Sequence, residues 1–564
     1  MAPVTKVHCA SIAPRRSPLP VGGGWAWVQR LAMGHLPADI PAVRRISSPC
    51  ILLLLCVLAV SSGANCLSAE PEALDKIGSQ AAAALASRDF KAAEPLLRRQ
   101  IELQPREFVP LYNLACVRAS QGDAKEAGEL LVRAVENGFD DYRKLTTDPD
   151  LAGVRADAGY QKLISNWAVV LDARKAANLA QIRTIFDHPD DGSTYTEHVD
   201  EKRRLIYRSA FDPSEFKKAR EEIEGLADWA ENTVFPGLWD PKEVALDPWV
   251  IVVLPSRRDF AAWSIVTFGP AARTGFSTIG GVYVHEKKQL VSQDIGSTLR
   301  HEFFHVLHWR DSSRKGQTHE CWVQEGLASL VEDVDVPKGA SYAKLKPVPS
   351  WRTNIVQRRD RSNTLMPLDK FCAQPRERFL SNQQLANYAE ARAVFLYLYE
   401  RGQLGPWYEA YARATQGESS SEKAGIKAFE TVFARPLKET DKDFRFWVRK
   451  LPEVAEEIRE GMASLGVEVE TGTGDGVTIT SIIEPQGRSG GRGGANIIPA
   501  LTLRGVKGEL RVGDVITSVG EQNTRDVAEL VRVLGEKKPG EEVVVTYRRR
   551  AQPGEATIKL IPRP

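Results

Sequence analysis

A chain of 564 residues is longer than one hydrophobic core can organise, so three or four domains are expected. With 43% hydrophobic and 26% charged residues, the composition is that of a globular protein. A net charge of +2, with no basic block carrying interleaved aromatics, leaves no electrostatic case for a nucleic-acid partner.

The first element reads as an export signal. Arg44 and Arg45 precede the apolar run 51–60, and Ser61, Ser62, Gly63 and Ala64 follow it. That run is too short for a permanent membrane span of about 20 residues and suits a signal-peptide core; an uncleaved anchor is the alternative. Residues 1–69 are therefore assigned to an N-terminal extension and signal peptide, and the mature chain to the periplasm or the exterior. Met33 offers a second start with a more ordinary region before the run. Lipidation at Cys66 is not expected, because Gly63, Ala64 and Asn65 include no bulky aliphatic residue. Of the seven cysteines, Cys66, Cys116, Cys321 and Cys372 follow the run, and none has CxxC spacing. That argues against a disulfide scaffold and a cysteine metal cluster, and leaves open a single Cys321–Cys372 bridge.

A repeat comes next. Asp89, Lys91, Ala93, Leu96, Leu97, Arg99 and Ile101 match Asp123, Lys125, Ala127, Leu130, Leu131, Arg133 and Val135 at a constant offset of 34. This period resembles tetratricopeptide helix pairs, and 148–164 reads as a degenerate closing pair. The resemblance implies an all-α domain over 70–165, either a groove for a peptide or protein partner or a structural spacer. A connecting helix and linker are expected over 166–189, ending in the breaker DHPDDGS at 187–193.

The region 190–452 begins with strand-like residues 194–207, an amphipathic helix over 214–234, an apolar strand at 249–254 and another at 281–284. Mostly helical sequence then runs to Leu451, an α+β order. Within it stands HEFFH. On a helix, residues i and i+4 share a face, so His301 and His305 can put two imidazoles on one cation, with Glu302 beside them to take a proton from its water. Ser297 and Thr298 are the expected caps, and Leu299, Phe303, Phe304, Val306 and Leu307 the buried faces.

A zinc peptidase needs a third protein ligand and an open fourth position. In the pattern H-E-x-x-H-x-x-G-x-x-H the glycine position is His308 and the last ligand Asp311, so that route fails. Glu325, in Trp322-Val323-Gln324-Glu325-Gly326-Leu327-Ala328, lies twenty residues after His305, and polar 311–317 can make the reversal between two helices. HEFFH followed by this W-x-x-E-G-x-A element resembles the peptidase MA-like gluzincin metallopeptidases over 190–452, with some similarity to the glycyl aminopeptidase family.

The resemblance implies a zincin-like domain, Zn2+ on His301, His305 and Glu325, Glu302 as general base, and a peptide or protein substrate. It also implies an oxyanion-donating tyrosine at Tyr388, for which a packing role is the alternative. Some gluzincins carry Asp four residues after the third ligand to orient the first histidine. Ser329 stands there, leaving Glu332 or Asp333 for that task. The G-x-M-E-N amine-recognition element of another aminopeptidase family is absent, so exopeptidase specificity has no support. His308 and His319 read as structural or surface groups.

Residues 453–564 form the last unit. Strand-like 477–483, a Gly-rich loop at 487–494, ELRVGDVITSVG, a helix over 524–534 and a final strand resemble a bacterial PDZ domain. Leu510, Gly513, Asp514, Val515 and Ile516 match its L-x-x-G-D-x-I signature. Leu465, Gly466 and Val467, after Ser464, match the loop whose N–H groups would hold a peptide C-terminus. An insertion at 489–505 departs from the family pattern. The expectation is a multidomain exported zinc peptidase, with protein partners reached through the repeats and the PDZ domain. Its alternative is a catalytically retired zincin-fold scaffold.

Overall fold

The computed structural model describes residues 69–186, 195–239, 247–269, 272, 280–284, 287–415, 423–472, 474–483 and 502–563. The segment expected to be an export signal, Cys66, the 187–193 breaker and the Gly-rich loop at 487–494 lie outside them. Among the described residues no helix is long and apolar enough to cross a membrane. The chain forms two compact units, meeting in sequence at Ala173 and Arg174.

The first unit is helical: Ala69–Ala86, Phe90–Leu103, Phe108–Ser120, Ala124–Glu136, Tyr142–Thr147, a 3-10 turn at Pro149–Val154, and Ala158–Ser165. The 34-residue offset has a local cause. Asp89 and Asp123 are equivalent N-caps, accepting from Ala92 N and Glu126 N at 3.0 Å each. Ala93 and Ala127, and Leu97 and Leu131, are equivalent core positions with no exposed surface. The turn before each cap needs a left-handed residue, supplied once by Arg88 (φ 58°) and once by Gly122 (φ 87°).

The second unit opens with a five-stranded sheet: β1 (Thr196–Asp200), β2 (Leu205–Ser209), β3 (Trp249–Val253), β4 (Gly281–Val284) and β5 (Gln289–Ser292), in the order β1-β2-β3-β5-β4. β2, β3 and β5 are parallel, while β1 and β4 run antiparallel at the edges. The expected strand at 194–207 is instead a hairpin, reversing at the charged segment 201–204. Helix Pro213–Thr233 links β2 to β3, and helix Arg257–Phe268 links β3 towards β4. Leu205, Tyr207, Trp249, Ile251, Val253, Tyr283 and Leu290 enter one core, and Ile206, Val250, Val252, Val282 and Val291 another. A strand covered on both faces reads as a continuous apolar run, which is why 249–254 shows no alternation.

A helical layer follows: Ser297–Arg314, Cys321–Leu330, Trp351–Arg361, Gln384–Glu400, Leu404–Ala414, Ala424–Phe433 and Leu437–Lys450. Cys321 and Cys372 are buried free thiols. Two local expectations need correction. Gly296, not Ser297 or Thr298, is the N-cap of the histidine helix, with φ 98°. That helix also continues through Asp311 to Arg314, because the Asp311 carboxylate is buried and accepts from Arg314, Lys315 and Tyr408. The reversal therefore falls at 315–320.

Strands Val467–Thr471, Val477–Ile482, Val515–Val519, Glu542–Arg549 and Gln552–Lys559, with helix Val527–Gly535, form the C-terminal module around its own core.

Helix Gln384–Glu400 buries Glu390 completely, with no side chain hydrogen-bonded to either carboxylate oxygen and Arg359 Nε 3.8 Å away. Burial raises its pKa from 4.5 to about 8. Below 4.5 both folded and unfolded states hold the proton. Between 4.5 and about 8 only the folded state does, so stability falls as pH rises. Glu390→Gln is expected to remove this fall, gaining on the order of 4 kcal/mol over wild type between pH 4.5 and pH 8.5. Urea unfolding midpoints at the two pH values, with chelator present, measure the gain; equal pH slopes for both proteins would contradict it.

Candidate metal centre

The histidine helix, Ser297–Arg314, is held by Leu299, Phe303, Phe304, Val306 and Leu307, all buried. One turn apart on it, His301 and His305 bring their ring centroids to 4.9 Å. The second helix, Cys321–Leu330, is anchored by Trp322 stacked on Phe395. Gly326 allows that close approach, since a Cβ there would lie 2.6 Å from the Phe395 ring.

The two helices bring three donor atoms together. His301 Nε2 and His305 Nε2 are 3.1 Å apart, and Glu325 Oε2 lies 3.5 and 3.4 Å from them. A tetrahedral zinc with bonds of about 2.0–2.1 Å sets neighbouring ligand atoms about 3.3 Å apart, so these separations fit. Glu325 Oε2 is buried and makes no hydrogen bond. Among the described residues this is the one trio of His, Cys, Asp or Glu groups close enough to share a metal ion.

The surroundings orient the first ring. His301 Nδ1 donates to Glu332 Oε1 at 2.7 Å, and Glu332 Oε2 accepts from Arg352 Nε (2.9 Å) and Nη2 (2.7 Å). Of the two carboxylates expected near Ser329, Glu332 stands here, while Asp333 pairs with Arg392 at 3.5 Å. Tyr283, on edge strand β4, stacks on His305 with ring centroids 4.9 Å apart. Burial opposes a charge on His301, yet Glu325 and Glu332 overcome it and raise its pKa to about 10. A cluster that recruits a proton so strongly is one that favours a cation.

Glu302 is buried beside the trio, and its Cγ lies 2.8 Å from where a Cβ on Gly281 would fall, so glycine in β4 makes its room. Tyr388 is buried with its ring 5.4 Å from Phe379. It shares a helix face with Ala391 and Phe395, the residues that meet Gly326, but it is not in the donor trio. His308 and His319 form a separate buried pair, Nε2 to Nδ1 at 2.7 Å, and burial drives both pKa values down.

In the C-terminal module, Leu465 and Val467 are buried in the core. Gly466, at φ 77°, donates to Ser464 Oγ at 3.1 Å, and its carbonyl accepts from Ile483 N at 2.9 Å.

Sequence reading passed over Arg300, Arg352, Gly281 and Tyr283. Arg300, adjacent to HEFFH, and Gly281 and Tyr283, in the strand before it, sit where a local signal could have drawn notice, whereas Arg352 does not.

No curated protein matches the chain. Among solved structures it is similar to an aminopeptidase N family protein from Idiomarina loihiensis, at 10% identity and TM-score 0.25, over 66% of this chain and 67% of that one. Residues 505–560 match the family model of the PDZ domain, so the chain carries a PDZ domain at its C-terminal end.

Proposed function

We propose that the protein is a zinc-dependent peptidase of the gluzincin type, hydrolysing peptide bonds with Glu302 as general base. The observation that carries this is the spacing of His301 Nε2, His305 Nε2 and Glu325 Oε2, which suits the corners of a zinc tetrahedron and leaves the fourth corner to water or substrate. When bound, zinc lowers the pKa of a water towards about 7 and polarises the scissile carbonyl.

The chain's own groups do the rest. Glu332, itself clamped by Arg352, takes the Nδ1 proton of His301 in a hydrogen bond and so presents the Nε2 lone pair. The Glu302 carboxylate accepts the proton of the attacking water and passes it to the leaving amine. Tyr388 is assigned the oxyanion donor, supported by its burial on the helix that packs on Gly326. Strand β4, at the sheet edge beside Glu302, offers an extended peptide backbone partners. The PDZ domain and the helical pairs, tetratricopeptide-like in period, are assigned to peptide or protein partners, and the chain to an exported location.

Full-length protein is expected to bind about one zinc per chain and to cleave a mixed peptide library, losing cleavage to a chelator and regaining it with zinc. Fragment masses would locate the bond cut. A second reading, a retired scaffold, draws on one feature: His301, Glu302, His305 and Glu325 are each only 1–2% exposed. Zinc bound without cleavage of any library peptide would select it.

A further inference from the structure

The PDZ domain does not stand apart from the metal centre. Its hairpin between strands Val467–Thr471 and Val477–Ile482 brings Asp475 to Arg300, the residue before His301. The Arg300 guanidinium is buried and every N–H it has is used. Nη1 donates to Asp475 Oδ2 (2.8 Å) and Glu222 Oε2 (3.3 Å). Nη2 donates to Asp475 Oδ1 (2.8 Å) and the Glu332 carbonyl (2.6 Å), and Nε to the Val331 carbonyl (3.0 Å). Arg300 thus grips the backbone carbonyls of Val331 and Glu332, the stretch that sets the Glu332 side chain, the group bonded to His301 Nδ1.

We propose that Asp475 is a positioning residue of the metal centre, acting through Arg300 on the Glu332–His301 pair. The claim rests on the zinc reading above. Its bidentate pairing is the shorter of the two carboxylate contacts, so Asp475 is the principal counter-charge of a buried cation. The approach is built into the sequence on both sides. A Cβ on Gly296, the cap of the histidine helix, would lie 2.2 Å from Asp475 N, and one on Gly474 would lie 2.2 Å from the Ile295 carbonyl oxygen. Asp475 N in turn donates to that carbonyl at 3.3 Å. Arg548 closes the contact, donating to both Asp294 Oδ1 and the Asp475 carbonyl at 3.2 Å. A domain joined merely for tethering would not need its hairpin seated against the first turn of the helix that carries both histidines.

The test uses full-length Asp475→Asn, Arg300→Lys and the double variant, with cobalt(II) as the metal probe. Cobalt affinity is read by competition with a chelating chromophore and ligand geometry by the d–d absorption spectrum. A fluorogenic peptide that wild type cleaves gives kcat and KM. Each single variant is expected to bind cobalt about 10- to 100-fold more weakly, with an altered spectrum. A comparable fall in kcat and a KM within about threefold are expected with it. The double variant should be no worse than the singles, because both act through one link. Cobalt affinity within about twofold of wild type and an unchanged spectrum would overturn the proposal, even if the melting temperature fell, since that pattern marks a purely structural contact. Should Asp475→Asn not fold, Asp475→Glu, which keeps the charge but displaces the bidentate contact with Arg300, is read by the same cobalt affinity and spectrum and decides the matter. Wild type binding no cobalt would instead remove the zinc reading, and this inference with it.

Discussion

Glu302→Gln is expected to keep its zinc and lose peptide cleavage by about 10³-fold or more in kcat. Glutamine has nearly the same shape, so the fit of the side chain against Gly281 survives. None of the three donor atoms belongs to residue 302, so metal affinity should hold. On the proposed mechanism, what disappears is the carboxylate that would take the water's proton and return it to the leaving amine. Zinc content and library cleavage, measured on the same preparation, separate the two effects. Cleavage within tenfold of wild type would remove Glu302 from the base role, while loss of zinc would show that it supports the donor set.

The second large effect concerns the boundary at 452. A chain ending at Leu451 is expected to be insoluble, or to melt on the order of 10 °C below full length, and to be inactive. The cut removes Asp475 from the buried Arg300 guanidinium, Arg548 from Asp294, and Arg525 from the Val334 carbonyl. It also takes Ala551 out of the main core, where its carbonyl accepts from Asp212 N at 3.0 Å. Arg300 keeps Glu222 at 3.3 Å but loses its bidentate partner, which costs up to about 3–5 kcal/mol, a large part of the 5–15 kcal/mol that holds a typical domain. A chain beginning at Trp167 loses none of these contacts and serves as the control. Soluble yield, thermal melting and cleavage report the outcome. A shortened chain melting with full-length protein would mean that the interface contributes little.

Much of the local structure was legible. Asp89 and Asp123 announce two equivalent helix starts because an Asp cap and its buried alanine and leucine partners are set by neighbours a few residues away. HEFFH places two rings on one helix face by pitch alone. Glu325 could be nominated from its spacing and from the glycine beside it, which in the structure makes room for Phe395. The hairpin at 201–204, the cap at Gly296 and the burial of Asp311 escaped notice. Each depends on a partner distant in sequence: Arg204 lies beside the start of β3, Gly296 under Asp475, and Asp311 against Tyr408.

The sequence by itself determined the periodic elements, the PDZ signature and the residue types able to hold a dication, because helix pitch, capping and motif spacing act over a few residues. Tertiary structure alone decided that Glu332, not Asp333, faces His301, that Arg352 clamps it, and that Asp475 reaches Arg300 across 175 residues of chain. A buried charge chooses its partner by desolvation and geometry, and neither is written in the order of residues.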